Sequence, residues 1–314
     1  MSGANKADAR AAPEIVTDDV TRARATALGF VAVLLWALLA LFTVGSGATP
    51  PFLLAAMSFA IGGAIGLLDI ARRGASLRAA LGQPARIWAL GVLGLFGYHF
   101  FYFTALRNAP PAEAGLIAYL WPLLIVLFSA LLPGERLRFG HVAGGLIGFA
   151  GAAVILIGRE GGGLTFEGAH ATGFAAAGLC ALLWSSYSVL SRLAGEAPTD
   201  SVAGFCVAAA VLSALCHLAL ETTVWPATAL EWASVVGLGL GPVGAAFYVW
   251  DYGCKRGDIQ MLGVAAYAAP LLSTIVLVAA GFGEPTLSLG LGAALIVVGS
   301  LAAAAASLRR SAAR

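Results

Sequence analysis

The sequence predicts an all-α polytopic membrane protein of ten transmembrane helices, built as two five-helix repeats inserted in opposite senses. Three observations predict it. First, 60% of the 314 residues are apolar and only 11% are charged, against roughly a quarter charged in an ordinary soluble domain. Second, apolar runs of about 18–24 residues recur along the chain, each long enough to cross a ~30 Å hydrocarbon core. Third, residues in the second half match residues in the first at one fixed offset.

The composition also excludes other classes. Intrinsic disorder needs low hydrophobicity, and here the mean hydropathy is +0.90. A net charge of +2, with no basic cluster interleaved with aromatics, points away from nucleic acid. Cys180, Cys206, Cys216 and Cys254 have no metal-ligand spacing and read as small apolar residues within helices. Neither a metal nor a cofactor is expected.

The ten spans are placed at 26–44, 52–73, 87–106, 112–132, 140–158, 170–193, 200–220, 231–253, 259–282 and 286–307. Short connections hold most of the charge, proline and turn residues. Backbone in lipid must satisfy its own hydrogen bonds, and no period-two alternation suggests a barrel. Residues 1–25 are polar and precede a full-length apolar span without a small-residue cleavage site, so they are expected to be a disordered, uncleaved tail. Residues 308–314 form a second tail.

Orientation follows from Lys and Arg. With the N-terminus inside, sixteen of the 18 fall on the inner side, and only Arg107 and Arg159 on the outer. Both termini are therefore expected in the cytoplasm. The halves, 26–158 and 170–307, match at an offset of 148. Trp36 pairs with Trp184, Tyr119 and Pro122 with Tyr267 and Pro270, Gly144 with Gly292, and Gly151 with Gly299. Gly134-Glu135 pairs with Gly283-Glu284 after a slip of one. Five spans per copy is odd, so the second copy inserts upside down. Such inverted repeats are a transporter architecture with a site near the midplane.

Candidate functional residues are polar or aromatic groups at mid-depth. In span 3, Tyr98 and Tyr102 lie about 40° apart on one helix face, and a phenol in hydrocarbon needs a partner or water. His99 beside them is either a functional group facing a cavity or a neutral imidazole bonded to its own helix. Span 4 carries Tyr119, Trp121 and Pro122. Pro122 removes a donor and clashes with the carbonyl of Ala118, which predicts a bend. Span 9 repeats this with Tyr267 and Pro270. Paired Pro-interrupted helices point to a central site, the alternative being kinks needed only for packing. Span 6 adds Trp184, Tyr187 and Ser188. Span 1 adds Trp36, and span 8 adds Tyr248. Asp251 sits near the end of span 8 and reads as interfacial. Small residues four apart, such as Gly62/Gly66 and Gly140/Gly144/Gly148, permit close helix contact within the bundle or at a dimer face.

Absences narrow the chemistry. No acidic residue falls at mid-depth, where a proton antiporter or Na⁺ site wants one. There is no Walker P-loop, no HExxH and no Ser/His/Asp set.

Ten spans, two five-span inverted repeats and short loops resemble the drug/metabolite transporter superfamily, in particular its EamA-type repeats, from residue 26 to about 307. The Tyr98-His99 pair, Tyr102 and Tyr119-Leu120-Trp121-Pro122 look like its bacterial aromatic amino acid exporters. The resemblance implies a basket-like bundle in the inner membrane, with a central cavity lined by spans 1, 3, 4, 6, 8 and 9. Tyr98, His99, Tyr102, Tyr119, Trp121 and Trp184 would line it. It implies export of aromatic amino acids, and often of other amino acids or organic cations, from the cytoplasm; gradient-driven transport by a monomer or weak homodimer surrounded by lipid is expected. Span 1 lacks the Glu of the small multidrug transporters. Two alternatives stay open: export of lipophilic cations, which aromatic cages also bind, and a non-transporting scaffold or intramembrane enzyme.

Overall fold

The computed structural model describes residues 11–160, 164, 166–195, 197–282 and 284–311. Gly283, residues 1–10 and residues 312–314 lie outside the described residues. Among the described residues, ten helices are long and apolar enough to cross a membrane. In the first half they are Val20–Gly45, Pro51–Arg72, Ala85–Asn108, Pro111–Leu131 and Phe139–Gly158. In the second they are Gly168–Leu193, Ser201–Leu220, Ala229–Arg256, Ile259–Ala279 and Leu287–Ser307.

Two boundaries differ from expectation. Residues 11–25, expected to be a disordered tail, belong to the helix Ala11–Trp36. Arg22 in that extension is partnered by Glu135 and Asp258, so a charged turn can stay helical. At the other end the last helix runs on to Ser311. Elsewhere local chemistry sets the starts. Pro51 and Pro111 occupy first turns, where a missing N–H costs nothing. The Thr228 and Asp258 side chains accept the N–H groups of Glu231 and Met261.

Packing follows the internal repeat. Span 1 packs on span 8 and span 3 on span 6, while 2 packs on 7, 4 on 9 and 5 on 10. Exchanging the two halves turns the first contact into the second and each of the others into itself, as a two-fold axis requires. Close glycine contacts obey the same exchange. A Cβ on Gly299 would sit 2.6 Å from the Gly144 carbonyl oxygen, and one on Gly151 would sit 2.8 Å from that of Gly292. These glycines are buttresses between spans 5 and 10 inside the bundle. The span 2–span 7 pair is clasped at both ends by repeat-related groups of reversed charge. On one side Arg73 bonds Asp69 at 2.7 Å and Asp200 at 2.8 Å. On the other, Glu221 bonds His217 at 2.9 Å and accepts the Phe52 N–H at 3.0 Å. The offset of 148 relates 69, 73 and 52 to 217, 221 and 200.

Spans 4 and 9 are interrupted where Pro122 and Pro270 predict. Helix stops at Ala118 and resumes at Trp121; it stops at Ala265 and resumes at Ala268. The two interruptions are tied together, since the Leu123 N–H donates to the Tyr267 hydroxyl at 3.1 Å. Spans 3 and 8 contain wide π-turns at Leu93–Gly97 and Gly241–Ala245, again exactly repeat-related. Span 1 breaks at Ala37–Leu38, but span 6 runs unbroken over Ala171–Leu193. Outward-facing residues are apolar: Leu131, Phe139, Leu218 and Leu287 are 78%, 89%, 77% and 79% exposed. Only lipid covers such a surface without cost.

Two stability outcomes follow. Gly299→Val forces a side chain into the Gly144 backbone and should lower the thermal midpoint of the purified protein by several degrees. Gly290→Ala, on the same helix with open space beside it, should leave that midpoint in place; equal effects would refute the buttress. Tyr267→Phe leaves the part-buried Leu123 N–H without its acceptor and should cost about 1–3 kcal/mol. An unchanged melting curve for that variant would show that the tie between the kinks contributes nothing.

Candidate functional site

The interrupted helices converge on a small cavity of ≈ 90 Å³. The first repeat lines it with Trp36, Leu39, Tyr98, His99, Tyr119 and Trp121. The second contributes Trp184, Pro242, Val243, Phe247 and Ala269.

Each wall owes its position to a local backbone feature. Tyr98 and His99 follow directly on the π-turn of span 3. There His99 Nδ1 meets the Leu95 carbonyl at 2.7 Å. A carbonyl oxygen only accepts, so Nδ1 carries the proton, and Nε2 of the neutral ring is left as an acceptor. The His99 ring is thus bonded within its own helix and also lines the cavity. Trp36 ends the first segment of span 1, and its indole N–H donates to the Pro242 carbonyl in the π-turn of span 8 at 3.1 Å. Tyr119 and Trp121 flank the interruption of span 4.

The rings hold one another. Trp36 lies 6.0 Å from Trp121, 5.7 Å from Trp184 and 5.0 Å from Trp250, centroid to centroid. The first two contacts are edge-to-face, the favoured arrangement for rings with a negative face and positive edge. Trp36 and Trp184 are repeat mates, so this contact straddles the pseudo-two-fold axis. His99 and its mate Phe247 also meet, at 6.3 Å and 85°.

Six of the eleven candidate binding residues line the cavity: Trp36, Tyr98, His99, Tyr119, Trp121 and Trp184. The other five are placed elsewhere. Tyr102 stacks behind Tyr98 at 6.0 Å and 7°. Tyr187 is buried, and its hydroxyl donates to Asp251 Oδ1 at 3.2 Å. Ser188 is fully buried, accepts the Trp250 indole N–H at 3.0 Å and donates to the Trp184 carbonyl at 2.8 Å. Tyr248 turns away to the Gly62 carbonyl at 3.0 Å. Tyr267 is fully enclosed in the kink of span 4. In each of these last four a partner on the protein answers the polar group, so the side chain is held out of the cavity. Sequence reading missed Leu39, Pro242, Val243, Phe247 and Ala269. For Phe247 a signal existed, since it stands 148 residues after His99.

On the N-terminal side the two halves are joined by charge. Glu135 Oε1 lies 3.1 Å from Arg22 and 3.5 Å from Arg192, and Arg22 lies 3.6 Å from Asp258. Glu135 belongs to the first repeat, Arg22 to the helix that leads into it, and Arg192 and Asp258 to the second. Gly134, at φ +76, makes the turn that delivers Glu135. Asp251, expected at the interface, is instead 1% exposed. Its Oδ2 takes Lys255 Nζ and the Thr199 hydroxyl, both at 2.8 Å. Both charges are deeply buried, so losing either partner would strand the other.

Comparison with known proteins places this geometry. The EamA-like transporter family matches residues 23–157 and again 171–304. The chain is 57% identical to the aromatic amino acid exporter YddG of Ancylobacter novellus, over 90% of this chain and 98% of that protein. It is 26% identical to the aromatic amino acid exporter YddG of Salmonella typhimurium, over 93% of this chain and all of that one. A solved crystal structure at 56% identity superposes with a TM-score of 0.85, covering 90% of this chain and 98% of its own. Two tandem matches across one continuous ten-helix bundle, with the relatives covered nearly end to end, make this chain a member of the EamA-like transporter family.

Proposed function

We propose that this protein exports amino acids, aromatic ones preferred, across the bacterial inner membrane, with both termini in the cytoplasm. The observation that carries the reading is the cavity wall. It is ring-lined and bears hydroxyl and imidazole groups from Tyr98, His99 and Tyr119, with no carboxylate, Lys or Arg among its lining residues. A zwitterion of zero net charge suits such a wall, because a full charge would need a counter-charge. Stacking on the indoles favours aromatic side chains by about 0.5–1.5 kcal/mol per ring pair. The names of the relatives agree with this cargo. A lipophilic cation would lack a carboxylate partner in the same wall.

Transport proceeds by alternating access, one repeat rocking against the other about the kinks at Pro122 and Pro270. The Arg22–Glu135–Arg192–Asp258 layer is the closed gate of the N-terminal side, because it joins the repeats beneath the aromatic floor. Flux follows the substrate gradient and uses no ATP. The 26–158 and 170–307 units are the moving bodies, and a monomer suffices, since the cavity lies within one chain.

In proteoliposomes the protein should catalyse counterflow of labelled Phe and Trp without ATP. Trp184→Ala and Tyr98→Ala should each abolish it or reduce it at least tenfold while the protein remains folded. Normal transport by both variants, or none by folded wild type, overturns the assignment. Glu135→Gln loosens the N-terminal gate. It should raise maleimide modification of Cys254, which is fully buried in the closed form, severalfold by mass spectrometry. Protection equal to wild type would show that these ion pairs do not hold that side shut.

A further inference from the structure

We propose that the cavity holds its amino acid in a single orientation across the pseudo-two-fold axis, with the charged head group on the Tyr98–His99–Tyr119 wall of the first repeat and the side chain on Phe247 of the second, so that Phe247 sets side-chain specificity. The inference rests on the exporter reading and deepens it.

The argument comes from how the repeats depart from their own symmetry. The repeat mates Trp36 and Trp184, and His99 and Phe247, meet across the axis, and a symmetric sequence would give both repeats' walls the same chemistry. Instead Tyr98 is opposed in the repeat by Ala246, His99 by Phe247 and Trp121 by Ala269. Where the second repeat does keep a phenol, it is used elsewhere. The hydroxyl of Tyr267, the mate of Tyr119, accepts the Leu123 N–H, and that of Tyr187, the mate of Leu39, bonds Asp251. The hydroxyls and the imidazole of the lining thus all come from the first repeat. The lining of the second is apolar apart from the indole N–H of Trp184.

An ammonium and a carboxylate leaving water need donors and acceptors at once. The first wall supplies both. The phenol of Tyr98, which also bonds the Cys180 thiol, stands there with that of Tyr119, and Nε2 of the His99 ring in its neutral form can accept from an ammonium. Reversing the molecule would press its charges against Val243, Phe247 and Ala269 and leave them unpaired. Phe247 is well held as a platform. It stacks on Phe59 at 5.7 Å and 10°, meets His99 edge-on and touches Trp184 at 5.6 Å. A ring so fixed loses little freedom when a substrate ring lands on it.

The test separates the two ends of the substrate by competition in Phe counterflow. The competitors are Leu, phenethylamine (ammonium without carboxylate) and 3-phenylpropionate (carboxylate without ammonium). Phe247→Leu should lower the preference for Phe over Leu roughly two- to tenfold, the size of one ring contact. The penalty that either one-charge analogue suffers relative to Phe should stay as in wild type. Tyr98→Phe should do the opposite, changing those penalties and sparing the Phe-to-Leu ratio. Phe247→Trp, which keeps a ring, should restore the aromatic preference, so the conclusion does not depend on one variant folding. An unchanged Phe-to-Leu ratio in Phe247→Leu, or a head-group penalty that moves with Phe247 and not with Tyr98, overturns the orientation while leaving export intact. Absence of Phe counterflow by wild type overturns the exporter reading itself, and the orientation with it.

Discussion

The contact between Trp36 and Trp184 across the pseudo-two-fold axis is the constraint from which the rest of the structure follows. Two copies of one five-helix unit, inserted in opposite senses, must meet along a line where every residue faces its own mate. Small residues on that line would let the bundle collapse; aliphatic residues would fill it. Large flat rings in edge-to-face contact leave space between them and still hold the helices apart. The indole of Trp36 touches Trp121, Trp184 and Trp250, and its N–H is fixed to the Pro242 carbonyl. A cavity in the middle of a bilayer protein is kept open in this way without a buried charge.

Backbone irregularity supplies the remaining shape. The π-turns of spans 3 and 8 and the interruptions of spans 4 and 9 come in repeat-related pairs. They free backbone groups that lipid could not satisfy, and three of the four have a side-chain partner within the protein. The Leu95 carbonyl takes His99, the Pro242 carbonyl takes Trp36, and the Leu123 N–H goes to Tyr267. Two of these side chains, His99 and Trp36, also line the cavity. Around this centre, the 2–7 and 5–10 pairs are rigid by construction, one clasped by charge at both ends and the other locked by glycine backbones. The symmetry is broken where it matters for chemistry. Span 1 is interrupted and span 6 is not, and the second repeat gives up the polar groups that the first repeat presents.

Much of this was legible in the sequence, for identifiable reasons. Span positions come from hydrophobic length, which the bilayer imposes directly, and the kinks come from Pro122 and Pro270, whose missing N–H has one consequence in a helix. The repeat offset reveals which residues meet at the axis, and Trp36, Trp184 and Tyr119 follow from it. What was not legible depends on partners in other helices. Nothing near Tyr248 in the chain announces that Gly62 will take its hydroxyl, nor near Tyr187 that Asp251 will. A tyrosine at the right depth therefore reads as a wall residue until its hydroxyl is accounted for. Phe247 shows the reverse error. A search for polar groups passes over an apolar residue, although its repeat mate is His99. The π-turns leave no pattern beyond glycine and proline, and the helical Arg22 turn becomes comprehensible only once Glu135 and Asp258 are beside it.

The central claim is that this ring-lined space on the axis opens to one side of the membrane at a time. It is tested most directly by a distance measured across the N-terminal face. Spin labels at Arg136 and Arg256, exposed residues from the two repeats, can be followed by pulsed dipolar spectroscopy in lipid nanodiscs with and without Phe. The account expects a short separation matching the closed face and a second, longer population whose share changes when Phe is added. A single distance, unmoved by substrate in a preparation that carries Phe, would contradict it.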